Sequence, residues 1–228
     1  MSQELLQLIS AEKKAAELFK TIETRKLIRA GITEKELNQA IYNLAFELFG
    51  IKKYWHKRIV RSGKNTLYPY DENPENLQLQ KDDILFIDFG PIFDAWEADY
   101  GRTYVLGNDP IKHQLNRDIK KAWDNAKDYF FSKTKISGAE FYEYTCNLAN
   151  EMGWEFGGPI AGHLIGHFPH EKLENENKTN YIHPENRIDM NAPDQNGNPR
   201  NWILEIHFVD RTKNIGGFFE QLLTKKIN

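Results

Sequence analysis

The sequence predicts an α+β fold in which one helix-helix-hairpin unit occurs twice, the two copies related by a pseudo-two-fold axis around a curved antiparallel sheet. Three observations point there. Two stretches of helical apolar period precede two strand-like runs in each half, the second helix of each half opens on the same local signal, and each strand pair carries facing acids. The chain is expected to form a single domain, residues 1–228, with halves of about 1–107 and 108–228.

In the first half, Leu5, Leu8, Ala11, Ala15, Leu18 and Ile22 recur at helical spacing, and Leu37, Ile41, Leu44 and Leu48 do so on a second helix. In the second half, Leu115, Ile119, Ala122, Ala126 and Phe130 mark one helix, and Phe141, Leu148 and Met152 the next. The segments Ile32-Thr33-Glu34-Lys35-Glu36-Leu37 and Ile136-Ser137-Gly138-Ala139-Glu140-Phe141 both spell a capping box. In each, the hydroxyl accepts a backbone N–H three residues on and the Glu reaches back, with an apolar staple around them.

Strands are expected over Ile84 to Asp88 and Glu97 to Leu106, linked near Phe93-Asp94-Ala95, because both runs are rich in β-branched and aromatic residues. With the turn centred between Phe93 and Asp94, Asp88 falls opposite Asp99 on one face, their Cβ atoms roughly 5 Å apart. A second hairpin is expected from Asn201 to Asp210 and Ile215 to Thr224. A turn centred between Thr212 and Lys213 puts Glu205 opposite Glu220, although Gly216 and Gly217 are able to shift that register. Facing carboxylates repel unless one is protonated or a cation lies between them, and the second arrangement is how hard or borderline metals are held.

Composition fits an enzyme-sized domain. Of 228 residues, 40% are hydrophobic and 13% aromatic, enough to fill a substantial core. Thirty Lys plus Arg against 33 Asp plus Glu leave a formal charge of −3, so no broad basic field for nucleic acid is expected. Lys52-Lys53 and Lys225-Lys226 read as solvated surface. Cys146, the single cysteine, excludes an intrachain disulfide and reads as a small buried residue on the fourth helix. With no signal peptide and no apolar run long enough to span a bilayer, a cytoplasmic protein is expected.

The run from Gly157 to Glu171 packs His163, His167 and His170 among four glycines, bringing backbone and imidazole close to a ligand. It is not a zincin helix motif, since Leu164 stands where that motif needs Glu. The polar, Asn- and Pro-rich stretch from Glu171 to Arg200 reads as a long excursion, a flap or a subunit contact.

These segments resemble the pita-bread metallopeptidases, which include methionine aminopeptidase, aminopeptidase P and prolidase. The run ending Ile-Leu-Phe-Ile-Asp88-Phe-Gly, followed by Glu-Ala-Asp99-Tyr-Gly-Arg102-Thr103, is similar to that family's paired-aspartate segment. Gly162-His163-Leu164-Ile165-Gly166 resembles its histidine-ligand motif, His170-Glu171 its second histidine, and Ile203-Leu204-Glu205 and Phe218-Phe219-Glu220 its two glutamate segments. The resemblance covers most of the chain and implies a catalytic domain alone, without the amino-terminal domain of aminopeptidase P and prolidase.

It also implies roles. Two divalent cations, manganese, cobalt, iron or zinc, would be held by Asp88, Asp99, His163, Glu205 and Glu220, with Asp99 and Glu220 bridging and a hydroxide between the metals. Glu205 would double as proton shuttle, His170 would donate to the substrate carbonyl or oxyanion, and Arg102 would be structural, pairing with nearby carboxylates. The implied activity is removal of N-terminal residues from peptides or cleavage of Xaa-Pro dipeptides, with a homodimer as the family habit.

Two departures stand out. The upstream histidine of the family is replaced by Pro69 or a flanking tyrosine, Tyr68 or Tyr70, so His56 is a candidate substitute as a substrate contact. Glu205 is followed by Ile206-His207, and on a strand His207 shares the face of Glu205 and is expected to line the pocket. The competing readings are a pita-bread protein acting on a small non-peptide amide or amidine, and a non-catalytic binding protein that retains the fold.

Overall fold

The computed structural model describes residues 2–169 and 178–224. The first helix pair is α1 (Gln3–Thr24) and α2 (Glu34–Phe49), and the second is α3 (Pro110–Ser132) and α4 (Gly138–Glu151). The expected apolar stripes are the buried faces, with Phe19 and Trp123 added to them, Leu5 and Leu48 only half-buried, and Met152 half-buried as the cap just past the end of α4 rather than within it. Both capping boxes form: Thr33 with Glu36 on α2, and Ser137 with Glu140 on α4. Each half builds its own apolar cluster. Leu18, Ile22, Leu37 and Ile41 pack beneath Leu85 and Ile87 in one, while Ile119, Ala122, Phe141 and Leu148 pack beneath Leu204, Ile206 and Phe208 in the other.

The strands are β1 (Ile59–Ser62), β2 (Ile84–Phe89), β3 (Ile92–Phe93), β4 (Trp96–Glu97), β5 (Tyr100–Val105), β6 (Glu155–Phe156), β7 (Ile203–Asp210) and β8 (Ile215–Leu222). Six of them form one antiparallel sheet in the order β1-β2-β5-β8-β7-β6, and β3 pairs with β4 apart from it. That order is palindromic. The first, second and third main strands of one half are followed by the third, second and first of the other, as the pseudo-two-fold requires, and β5 meets β8 at the middle through Gly101 and Glu220.

The second hairpin has the expected register. Asp210 pairs with Ile215 and Glu205 with Glu220, and the glycines at 216 and 217 stay in the ladder. The first hairpin corrects the expectation. Its turn is Asp94-Ala95, at φ +50° and +70°, a left-handed pair matched to the strand twist. The turn therefore falls one residue later than expected, so Ile92 pairs with Glu97 and Asp88 with Gly101 rather than Asp99. A two-residue displacement preserves the face on which every side chain lies, so the two aspartates still share a face.

The excursion is partly fastened down. Ala161 N–H donates to the Ile182 carbonyl and Met190 N–H to that of Ile136, and Ile182 and Met190 are core residues. Residues 171–177 of that stretch lie outside the described residues. Among the described residues, no helix is long and apolar enough to cross a membrane.

Candidate metal centre

One line of residues runs straight across four strands. Asp88 on β2 pairs with Gly101 on β5, Gly101 with Glu220 on β8, and Glu220 with Glu205 on β7. Residues paired across a ladder point to the same face, so three carboxyls stand in a row with a gap at the glycine. Asp99, two residues before Gly101, projects on the same side of the pleat and is buried beside the gap.

Two imidazoles close on Asp99. His163 Nε2 lies 3.0 Å from its Oδ2, and His56 Nε2 lies 3.1 Å from its Oδ1. His163 Nε2 is also 3.8 Å from Glu220 Oε1, and His56 Nε2 is 3.6 Å from Asp88 Oδ1. Ligand-capable atoms thus gather in two adjoining groups, His56 with Asp88 and Asp99, and Asp99 with His163 and Glu220. Glu205 adjoins the second group through its rung with Glu220 and faces the same cavity.

The chemistry of this cluster asks for a cation. Asp88 Oδ1, Glu205 Oε1 and Glu220 Oε2 are buried without a hydrogen-bond partner, an arrangement that costs free energy unless something positive meets those lone pairs. Burial pushes the Asp88 carboxyl up to about 6, with the Asp99 charge adding to it and His56 opposing. Burial likewise pushes Glu205 up to about 8 and Glu220 well above the usual carboxylate range, reinforced by Asp99 and Asp88. Asp99, despite its burial, is held below that range by His56 and His163. Against their own burial, both imidazoles are raised by the surrounding acids, His56 to about 9. Four acids against two imidazoles leave a surplus of negative charge that protons or divalent cations can satisfy, and mixed oxygen and imidazole donors suit borderline divalent metals. The residues present therefore fit such a group.

The centre opens into a cavity of about 580 Å³. His207 lines it as expected, buried, with Nε2 2.8 Å from the Thr66 carbonyl and its pKa lowered to about 4 chiefly by burial. Tyr70 and Pro69 line it too. They belong to a segment held by Arg61, which donates to the Pro69 carbonyl at 2.7 Å and the Glu72 carbonyl at 2.8 Å. His170 lies outside the described residues. Arg102 corrects an expectation: its guanidinium lies between the Tyr100 and Phe219 rings, at 3.6 and 3.8 Å, and donates to the Gly101 and Glu220 carbonyls and to Gln221 rather than to a carboxylate. It braces the β5–β8 junction beneath the metal-facing row. Cys146 is half-buried on α4, away from the cavity lining.

Sequence reasoning missed Trp55, Arg61, Tyr181 and His183, all of which line the cavity. No local pattern marks them. They arrive through contacts such as the bridge between His163 and Tyr181.

Known structures share this architecture. A dipeptidase from Pyrococcus horikoshii superposes with a TM-score of 0.77 at 23% identity, over 99% of this chain and 61% of that one. Methionine aminopeptidase from Thermotoga maritima superposes with a TM-score of 0.72 at 15% identity, over 99% of this chain and 98% of that one. At such identities the likeness establishes the fold. Among curated sequences, a putative Xaa-Pro aminopeptidase of Mycoplasma pneumoniae is 28% identical over 135 residues, 58% of this chain and 38% of its own length. Xaa-Pro dipeptidase of Lactobacillus helveticus is 26% identical over 150 residues, 63% of this chain and 39% of its own. The matched stretches thus span well under half the length of these curated relatives. The sequence model of metallopeptidase family M24 matches residues 7–194, covering both helix pairs and the segments of Asp88, Asp99 and His163, and the chain belongs to that family.

Proposed function

We propose that this protein is a metal-dependent hydrolase that removes N-terminal residues from short peptides or cleaves Xaa-Pro dipeptides. The observation that carries this reading is the row Asp88, Glu220 and Glu205 on one rung, with Asp99 and His163 against it and three buried carboxylate oxygens lacking any hydrogen-bond donor. Family membership and the Xaa-Pro peptidases among its relatives support it.

We assign Asp88, Asp99, His163, Glu205 and Glu220 to hold two divalent cations drawn from manganese, cobalt, iron and zinc. When bound, such cations supply a low-pKa water and polarise a carbonyl. The chain's own residues do the rest. Glu205, partly open to the cavity, is placed to accept a proton from the nucleophile and deliver it to the leaving amine. His170 is assigned the hydrogen bond to the substrate carbonyl or oxyanion. His207, Phe218 and Ile59 form a wall along the cavity, whose volume suits a dipeptide or tripeptide rather than a folded chain.

The test is elemental analysis of manganese-loaded protein together with turnover of a dipeptide and tripeptide panel, with and without proline in the second position, for wild type and Asp99→Ala. Two bound cations and hydrolysis in the wild type, both lost in the variant, are expected. Bound metal without turnover of any peptide overturns the reading in favour of a binding protein.

A further inference from the structure

Resting on the metal-site reading above, we propose that His56 is a metal ligand, giving the centre a second imidazole, one for each cation. His56 and His163 are posed alike around one carboxylate. Each directs Nε2 at a different oxygen of Asp99, at 3.1 and 3.0 Å. Each places Nδ1 against the backbone carbonyl of the following residue, Lys57 at 2.7 Å and Leu164 at 2.8 Å. A carbonyl only accepts, so Nδ1 carries the proton in both rings and Nε2 is the atom left to coordinate. An imidazole whose other N–H is fixed by a backbone carbonyl is the usual outer arrangement of a metal-binding histidine.

The placement is built rather than incidental. His56 is reached from the opposite edge of the sheet from His163, and its side chain is 7% exposed. Trp55, just before it, donates its backbone N–H to the Gly90 carbonyl and its indole N–H to the Ala98 carbonyl, each at 3.0 Å. The segment is thereby clamped between the residue two past Asp88 and the residue just before Asp99. A side chain at Gly90 would collide with the His56 ring and the Trp55 indole, so the glycine is what admits them. The result is a His56, Asp88 and Asp99 group that mirrors the Asp99, His163 and Glu220 group across the shared aspartate. A donor to substrate would instead need its Nε2 turned toward the cavity and away from two carboxylates.

The experiment uses the whole chain loaded with two equivalents of cobalt(II). In its proton spectrum, each imidazole coordinated through Nε2 contributes one strongly shifted, slowly exchanging Nδ1–H signal. Two such signals are expected in the wild type. His56→Gln is expected to remove one and His163→Gln the other. In calorimetric titration with manganese alone, His56→Gln is expected to weaken the second equivalent by at least about 10-fold. A single shifted signal in the wild type, abolished by His163→Gln, overturns the role of His56 while leaving the metal site standing. No manganese binding by the wild type overturns both. The wild-type spectrum decides the matter even if a variant fails to fold.

Discussion

Asp88 and Glu205 lie on a single rung of the sheet, with only Gly101 and Glu220 between them. The gap at Gly101 matters as much as the acids. A Cβ there would lie 2.6 Å from Phe218 Cδ1 and 2.9 Å from Glu220 Cβ. Gly101→Ala is therefore expected to push Glu220 and the cavity wall out of place, costing about 1–3 kcal/mol. Urea unfolding measures the loss of stability, and manganese titration measures the accompanying loss of affinity. Unchanged affinity would show that the rung tolerates a side chain.

Asp99 meets the Nε2 of both imidazoles, at 3.1 and 3.0 Å, so neutralising it removes the shared element of both candidate groups. Asp99→Asn keeps the shape and removes the charge. Manganese affinity is expected to fall by more than the roughly 10- to 100-fold that loss of a supporting partner costs. Calorimetry reads this directly, independent of turnover.

Glu12 on α1 offers a pH signature outside the candidate ligand set, on the two residues of β8 that follow Glu220. Its carboxyl accepts from Leu222 N–H at 2.7 Å and from the Gln221 side chain at 3.1 Å, yet burial pushes its pKa from 4.5 up to about 7. Between those values the folded chain holds a proton that the unfolded chain has released. Stability from this group is therefore full below about 4.5 and lost as pH rises through about 7. In chelator-treated protein, Glu12→Gln is expected to flatten that part of the Tm against pH curve relative to wild type. Parallel curves for the two proteins would refute the assignment.

The capping boxes predict a simple pair of stability losses. Ser137 accepts from Glu140 N–H and Thr33 from Glu36 N–H, each at 3.2 Å. Ser137→Ala and Thr33→Ala are each expected to cost about 1 kcal/mol. Because the two lie in separate halves with separate cores, the double variant should show the sum. Chemical denaturation midpoints with unchanged slope provide the measurement.

Much of this was legible in the chain itself. Helical period and capping signals are local, so Thr33, Ser137 and the stripes through Ile41 and Ile119 could be read without tertiary knowledge. The Glu205 to Glu220 register also followed from the length of the Arg211–Asn214 link. The Asp88 register did not, because Phe-Asp-Ala-Trp carries no Asn-Gly or Asp-Gly signal for a turn that nevertheless places Asp94 and Ala95 at positive φ. Period-two alternation spared the prediction its worst consequence, since a two-residue displacement leaves Asp99 on the correct face.

The sequence by itself therefore determined the doubled architecture, the ligand-type residues and the face each strand presents, because these depend on spacing along the backbone. Only the tertiary structure decided that His56 meets Asp99 from the far side, that Arg102 is braced by rings and carbonyls, and that Gly101 keeps the row open. Those outcomes depend on which distant segments pack together, as when Trp55 is fastened to Gly90 and Ala98, and spacing along one chain carries no record of such contacts.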